Sequence, residues 1–246
     1  MSGQVPASVY RRRRASVAVG AVAVVVLGLL AASTLSRGGG ERRAEPTGAA
    51  ARPSTTERTT STAAAILSTT STTTPTGRFT RAPGGSPVVG TGHLYRYAVE
   101  VEEGSGIDVQ AFARAVDATL ADRRGWTTAD GIALQRVSDG SAELLVRLAT
   151  PATTDVLCAP LTTEGQVSCG HNAMAVINLT RWQKGATPSG LDLAGYRSYV
   201  VTHEFGHLIG HRHEVCPGPG RRATTMMQQT YDIGACTPNP WPAPDA

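Results

Sequence analysis

Four of the six histidines fall within eleven residues, His203-Glu204-Phe205-Gly206-His207-Leu208-Ile209-Gly210-His211-Arg212-His213. Read as a frame, this is H-E-x-x-H-x-x-G-x-x-H. On a helix, positions i and i+4 lie on one side about one turn apart, so His203 and His207 point the same way. Two neutral imidazoles at that spacing can grip one Zn²⁺. Glu204 follows the first ligand and projects toward the metal's open position, where it can take a proton from water that the metal has acidified. Gly210 permits a left-handed backbone, which ends the helix and lets His213 swing back as third ligand. Three histidines and one open position make a catalytic set; structural zinc sites are usually closed by four protein ligands. Glu214 is an alternative, carboxylate third ligand, but His213 has the matching spacing. With 6 His and 10 Glu in 246 residues, chance produces H-E-x-x-H roughly 0.006 times per chain, which sets coincidence aside.

The element that must carry these groups is a helix from about Leu193 to Ile209. Tyr196, Val200, His203 and His207 share one face, and Val201, Phe205 and Leu208 supply a second apolar one. A helix apolar on most sides is a buried helix. Upstream, Tyr95 to Glu102 alternates by two, as a strand does. Ile107 to Arg124 has helical spacing with Val109, Phe112, Val116 and Leu120 on one face, and Gly125 as a stop. Ile132–Val137 and Ala142–Leu148 read as strands joined by a Ser138-Asp139-Gly140-Ser141 turn, a hairpin pattern. Ala173–Leu179 reads as another short strand. Asn178-Leu179-Thr180 is formally a glycosylation sequon but, at a strand end, reads as structure. Together these elements predict an α+β domain, a mixed sheet with helices packed on it.

The His/Glu frame resembles the zinc signature of the metzincin clan of metalloendopeptidases. That resemblance implies a twisted sheet over a central zinc-binding helix, with one catalytic zinc held by His203, His207 and His213 and with Glu204 as general base. It also implies a Met-turn beneath the metal. Ala223-Thr224-Thr225-Met226-Met227-Gln228-Gln229-Thr230 stands at the matching place, with Met226 preferred over Met227. The clan's edge strand binds extended peptide, and Ala173–Leu179 is the candidate for that strand. Some members place a Tyr two residues after the turn Met; Gln228 or Gln229 stands there here, with Tyr231 as a weak substitute. His211 is extra to the frame and open to three readings: a competing ligand, a support for one, or a surface residue. No propeptide cysteine is recognisable. From about His93 to Trp241 the chain also resembles an uncharacterised family of membrane-anchored proteins from high-GC Gram-positive bacteria.

Four cysteines lie in this half and none before it. Four allow three pairings, and Cys158–Cys169 with Cys216–Cys236 is preferred because each pair brackets one loop region. The rival, cysteine ligation of a metal, lacks any C-x-x-C. Disulfides imply an oxidising, exported setting.

The first ninety residues read as delivery. Arg11–Arg14 precede an uncharged run from Ala15 to Leu35, 21 residues that as a helix rise roughly 31 Å, enough to span a hydrocarbon core. The expected organisation is a cytoplasmic basic N-terminus (1–14), a transmembrane signal-anchor (15–35), a disordered linker (36–92) and the zinc peptidase domain (93–246) outside the cell. The alternative is secretion after cleavage near Ala31-Ala32-Ser33. Between Pro53 and Thr80 stand 12 Thr and 4 Ser, too few large apolar residues to offset ordering entropy. Overall composition, with 41% hydrophobic, 5% aromatic, 27 Gly and 15 Pro, excludes a multi-pass membrane protein and a coiled coil. The net charge of +4 belongs to the tail. Residues 92–246 hold 12 basic and 16 acidic side chains, so the domain offers no charge argument for nucleic acid. The expected partners are a peptide or protein substrate, cell-wall peptide included, and the membrane through the N-terminal helix. The alternative function is a non-catalytic zinc-holding cell-wall or adhesion module.

Overall fold

The computed structural model describes residues 75–246. The expected span over residues 15–35 and the linker up to residue 74 lie outside the described residues. Among the described residues no helix is long and apolar enough to cross a membrane. Strand pairing begins before the expected boundary at His93. Thr-rich as it is, the segment places β1 (Phe79–Arg81) and β2 (Val89–Gly90) in the sheet.

The sheet is mixed and seven-stranded. Its remaining strands are β3 (Leu94–Glu102), β4 (Ala133–Arg136), β5 (Leu144–Ala149), β6 (Cys169–His171) and β7 (Met174–Asn178). Their order is β2-β4-β3-β5-β7-β6, with β1 also paired to β3. The long alternating strand β3 is the spine. β4 and β5 both run parallel to it, and β7 runs parallel to β5; β1, β2 and β6 are antiparallel to their neighbours. The expected hairpin between the second and third strand segments does not form. β4 accompanies Leu94–Tyr97 and β5 accompanies Tyr97–Val101, so β5 starts where β4 ends, on the other side of β3. A short connection therefore suffices to cross β3 without reversing direction. The expected edge strand is also displaced. Met174–Asn178 is an inner strand, and the three-residue β6 covers it.

Two helices make the principal layer on the sheet. α1 (Val109–Leu120) starts where the Asp108 carboxylate accepts the Ala111 N–H, and it buries Phe112, Ala113, Val116 and Leu120. The cap sets its start two residues after Ile107, and it ends at Leu120, before the expected Arg124; Gly125, the expected stop, instead precedes α2 (Trp126–Ala129). Asp117 ties it to the sheet by accepting from Tyr97 Oη and Arg136 Nε. α5 (Leu193–Leu208) is capped by Asp192, which accepts from Gly195 N–H. It buries every residue from Tyr199 to Gly206, as its two apolar faces require. Phe205 packs edge-on to Tyr97, and Phe112 to Trp182, so strand, helix and helix share one apolar cluster. Three shorter helices complete the fold: α2 (Trp126–Ala129), α3 (Pro151–Cys158) and α4 (Leu179–Lys184). Asn178 is fully buried and caps α4 through Thr180 N–H and Arg181 N–H, which explains the sequon as structure.

Both preferred disulfides are present. Cys158–Cys169 joins the end of α3 to β6, and Cys216–Cys236 closes the segment that contains Met226.

Candidate metal centre

α5 delivers His203, Glu204 and His207 on consecutive turns, and the chain beyond its end returns His213 to them. One ring nitrogen from each of His203, His207 and His213 lies within 4.8 Å of the others. His207 Nε2 and His213 Nε2 are 3.1 Å apart. Three imidazole nitrogens sharing one zinc at about 2.0–2.1 Å would be spaced by roughly 3.4 Å, so the donor set fits such an ion in number and type, and the His207–His213 pair fits it in spacing.

The other nitrogen of each helical histidine is engaged by backbone. His203 Nδ1 donates to the carbonyl of Thr225 at 2.8 Å. His207 Nδ1 donates to the carbonyl of His211 at 2.9 Å. Each bond fixes the tautomer and leaves Nε2 with its lone pair toward the cluster. Burial, with a smaller contribution from the neighbouring His207 and His213, lowers the His203 pKa to about 3. Burial and the neighbouring His207 also lower that of His213. His203 and His213 are thus biased toward the neutral imidazole, the form that ligates metal.

Glu204 is only 6% exposed, and among the described residues no hydrogen-bond partner is found for its carboxylate. Burial pushes its pKa up to about 8. An unpartnered carboxyl at the wall of a cavity is poised to hold or release a proton near neutrality.

Below the cluster, the segment Thr224–Met227 is a turn closed by Met227 N–H to Thr224 O. Met226 is 2% exposed, whereas Met227 is half-buried. A Cβ placed on Gly206 would meet Met226 Sδ at 2.6 Å and Trp126 Cζ2 at 2.7 Å; only glycine lets both sit against the helix one residue before His207. The same turn holds two members of the triad. Thr225 O receives His203, and Met226 O receives the N–H of Glu214, the residue after His213. Glu214 is exposed and is not part of the metal-ligand cluster.

A cavity of about 750 Å³ opens over the triad. One wall is β6: a Cβ on Gly170 would lie 2.4 Å from Glu204 O and 2.8 Å from His207 Cβ, so this edge strand rests directly on the helix. The loop enclosed by Cys158–Cys169 contributes Leu161, Thr163 and Val167, and Gln228, Thr230 and Tyr231 also line the cavity. Gln229 is elsewhere, fully buried, accepting from Asn239 N–H and donating to Thr224 O and Asn239 O. The structure adds Tyr199, one turn before His203. Its hydroxyl donates to Met227 O and accepts from Gln229 N–H, and its ring stands 5.3 Å from that of His203. Its i−4 spacing from His203 was the available signal. The His211 ring stands outside the triad, bonded to Asp130 and stacked on Trp126.

A family model described as Protein of unknown function (DUF3152) matches residues 67–237. No curated protein and no solved structure matches the chain.

Proposed function

The chain belongs to the DUF3152 family of proteins of unknown function, and on that premise we propose that it is a zinc-dependent endopeptidase of metzincin type, tethered by residues 15–35 and working outside the cell. The observation that carries the reading is the convergence of His203, His207 and His213 beside a buried, unpartnered Glu204 at the base of a cavity. His203, His207 and His213 would hold the ion. Zinc, when bound, polarises a substrate carbonyl and acidifies water. The remaining steps belong to the chain. Glu204 takes one proton from the attacking water as the new C–O bond forms, and returns it to the departing amide nitrogen as the C–N bond breaks. Met226 and Thr225 hold the floor under the ligands. The free side of β6, at Cys169–His171, would hold an extended peptide by main-chain pairing. Two disulfides agree with an extracytoplasmic site of action.

The test is Glu204→Gln in the full chain. Zinc content should stay at the wild-type level while peptide hydrolysis falls about 10²–10⁴-fold. Retained turnover overturns the assignment. Zinc held by a folded wild type that cleaves neither proteins nor wall-type peptides would instead favour a non-catalytic cell-wall or adhesion module.

A further inference from the structure

We infer that Asp130, His211 and Trp126 form a clasp that sets the ring of His207, making His211 a positioning residue. The inference rests on the metal-centre reading above.

His207 is oriented by a carbonyl that lies beyond the end of its own helix. α5 stops at Leu208, and Gly210 has φ of +104°, so the chain pivots there before it reaches His211. Within the backbone, that loop is held to the helix end by Gly210 N–H to His207 O at 3.2 Å and by His211 N–H to Gly206 O at 2.9 Å, and is next held at Glu214, whose N–H donates to Met226 O. The carbonyl that receives His207 Nδ1 at 2.9 Å lies between these bonds, where the remaining anchor is the His211 side chain.

Two groups anchor it, both from the α2 segment. His211 Nε2 donates to Asp130 Oδ2 at 2.7 Å, and the imidazole stacks on the Trp126 indole with centroids 4.2 Å apart and planes 23° from parallel. Trp126 is itself fixed: its indole N–H donates to Thr202 O at 2.9 Å, and its ring edge meets the backbone at Gly206. Asp130 caps α2, its N–H bonded to Trp126 O. The α2 segment thus grips α5 at Thr202 and Gly206 and the chain beyond it at His211, and His207 lies between those grips.

Asp130 and His211 line a second cavity of about 370 Å³ that shares no lining residue with the cavity over the triad. They act from behind the centre, without touching substrate. Groups that orient a metal-ligating histidine commonly alter metal affinity by about 10–100-fold when removed.

The experiment measures zinc affinity by chelator competition in the full-length wild type, His211→Ala, Asp130→Asn and the double variant, beside the cobalt absorption spectrum and metal-free thermal unfolding. Each single change should weaken zinc roughly 10-fold or more and shift the cobalt bands, with the double variant no weaker than the worse single, because both act through one path. Zinc affinity within about twofold of wild type in the folded single variants overturns the clasp, even if their melting temperatures fall, since that pattern marks a merely structural pair. If His211→Ala does not fold, Asp130→Asn, which preserves shape, decides alone. A wild type that binds no zinc overturns the metal centre and the clasp together; a wild type that binds zinc beside variants that bind it equally overturns only the clasp.

Discussion

Glu102 and Glu204 are both buried, at 1% and 6% exposure, and their surroundings make them opposites. Glu102, at the end of β3, accepts from the N–H groups of Thr76, Gly77 and Thr150 and from the Thr153 hydroxyl, at 2.6–2.9 Å. Burial alone would raise its pKa, but these bonds outweigh it and hold the carboxyl below its usual range. Glu204 has no such partners, and burial pushes it up to about 8. A buried carboxylate whose oxygens are satisfied acts as a fastener; here it pins the segment entering the domain to the start of α3. One left unsatisfied at a cavity wall costs stability and gains the capacity to carry a proton.

That contrast makes activity and stability separable. The largest expected effect is the loss of about 10²–10⁴ in peptide hydrolysis for Glu204→Gln, with metal-free stability unchanged or raised, because an unpaired carboxyl is removed. A variant that melts well below wild type would break the comparison. Glu102→Ala should do the reverse. It strands three backbone donors and should lower unfolding free energy by about 3 kcal/mol in urea titration, while zinc affinity stays that of wild type. Gly206→Ala should cost about 2 kcal/mol, because the added methyl collides with Met226 and Trp126. The smallest effect is in acid. The folded carboxyl of Glu102 titrates below its ordinary 4.5, so its contribution is whole above that pH and is lost as pH falls through the folded value. Stability measured from pH 5 downward should therefore fall more steeply in wild type than in Glu102→Gln; parallel curves would contradict the fastener role.

Features written in neighbouring residues were readable in the sequence. The bounds of α5 nearly coincide with Leu193–Ile209 because its apolar faces and its end at Gly210 are local. The disulfides follow from cysteines bracketing single loops, and β3 and β7 from short apolar or alternating runs. What escaped depends on distance. β4 and β5 look like a hairpin until β3, some forty residues earlier in the chain, takes its place between them. β6 is three residues containing a glycine, too short for any periodicity, and its importance comes from Gly170 lying on Glu204. β1 hides in a Thr-rich stretch, where pairing with β3 supplies what composition cannot. At the site, the convergence of His203, His207 and His213 was legible from their spacing, whereas Asp130 reaches His211 across 81 positions and leaves no local mark.

The most direct measurement is the zinc content of the full chain, purified with both disulfides formed, beside His207→Ala. The account predicts about one zinc per chain in wild type and its loss in the variant. A folded, oxidised wild type that binds none, even when zinc is supplied, would contradict it.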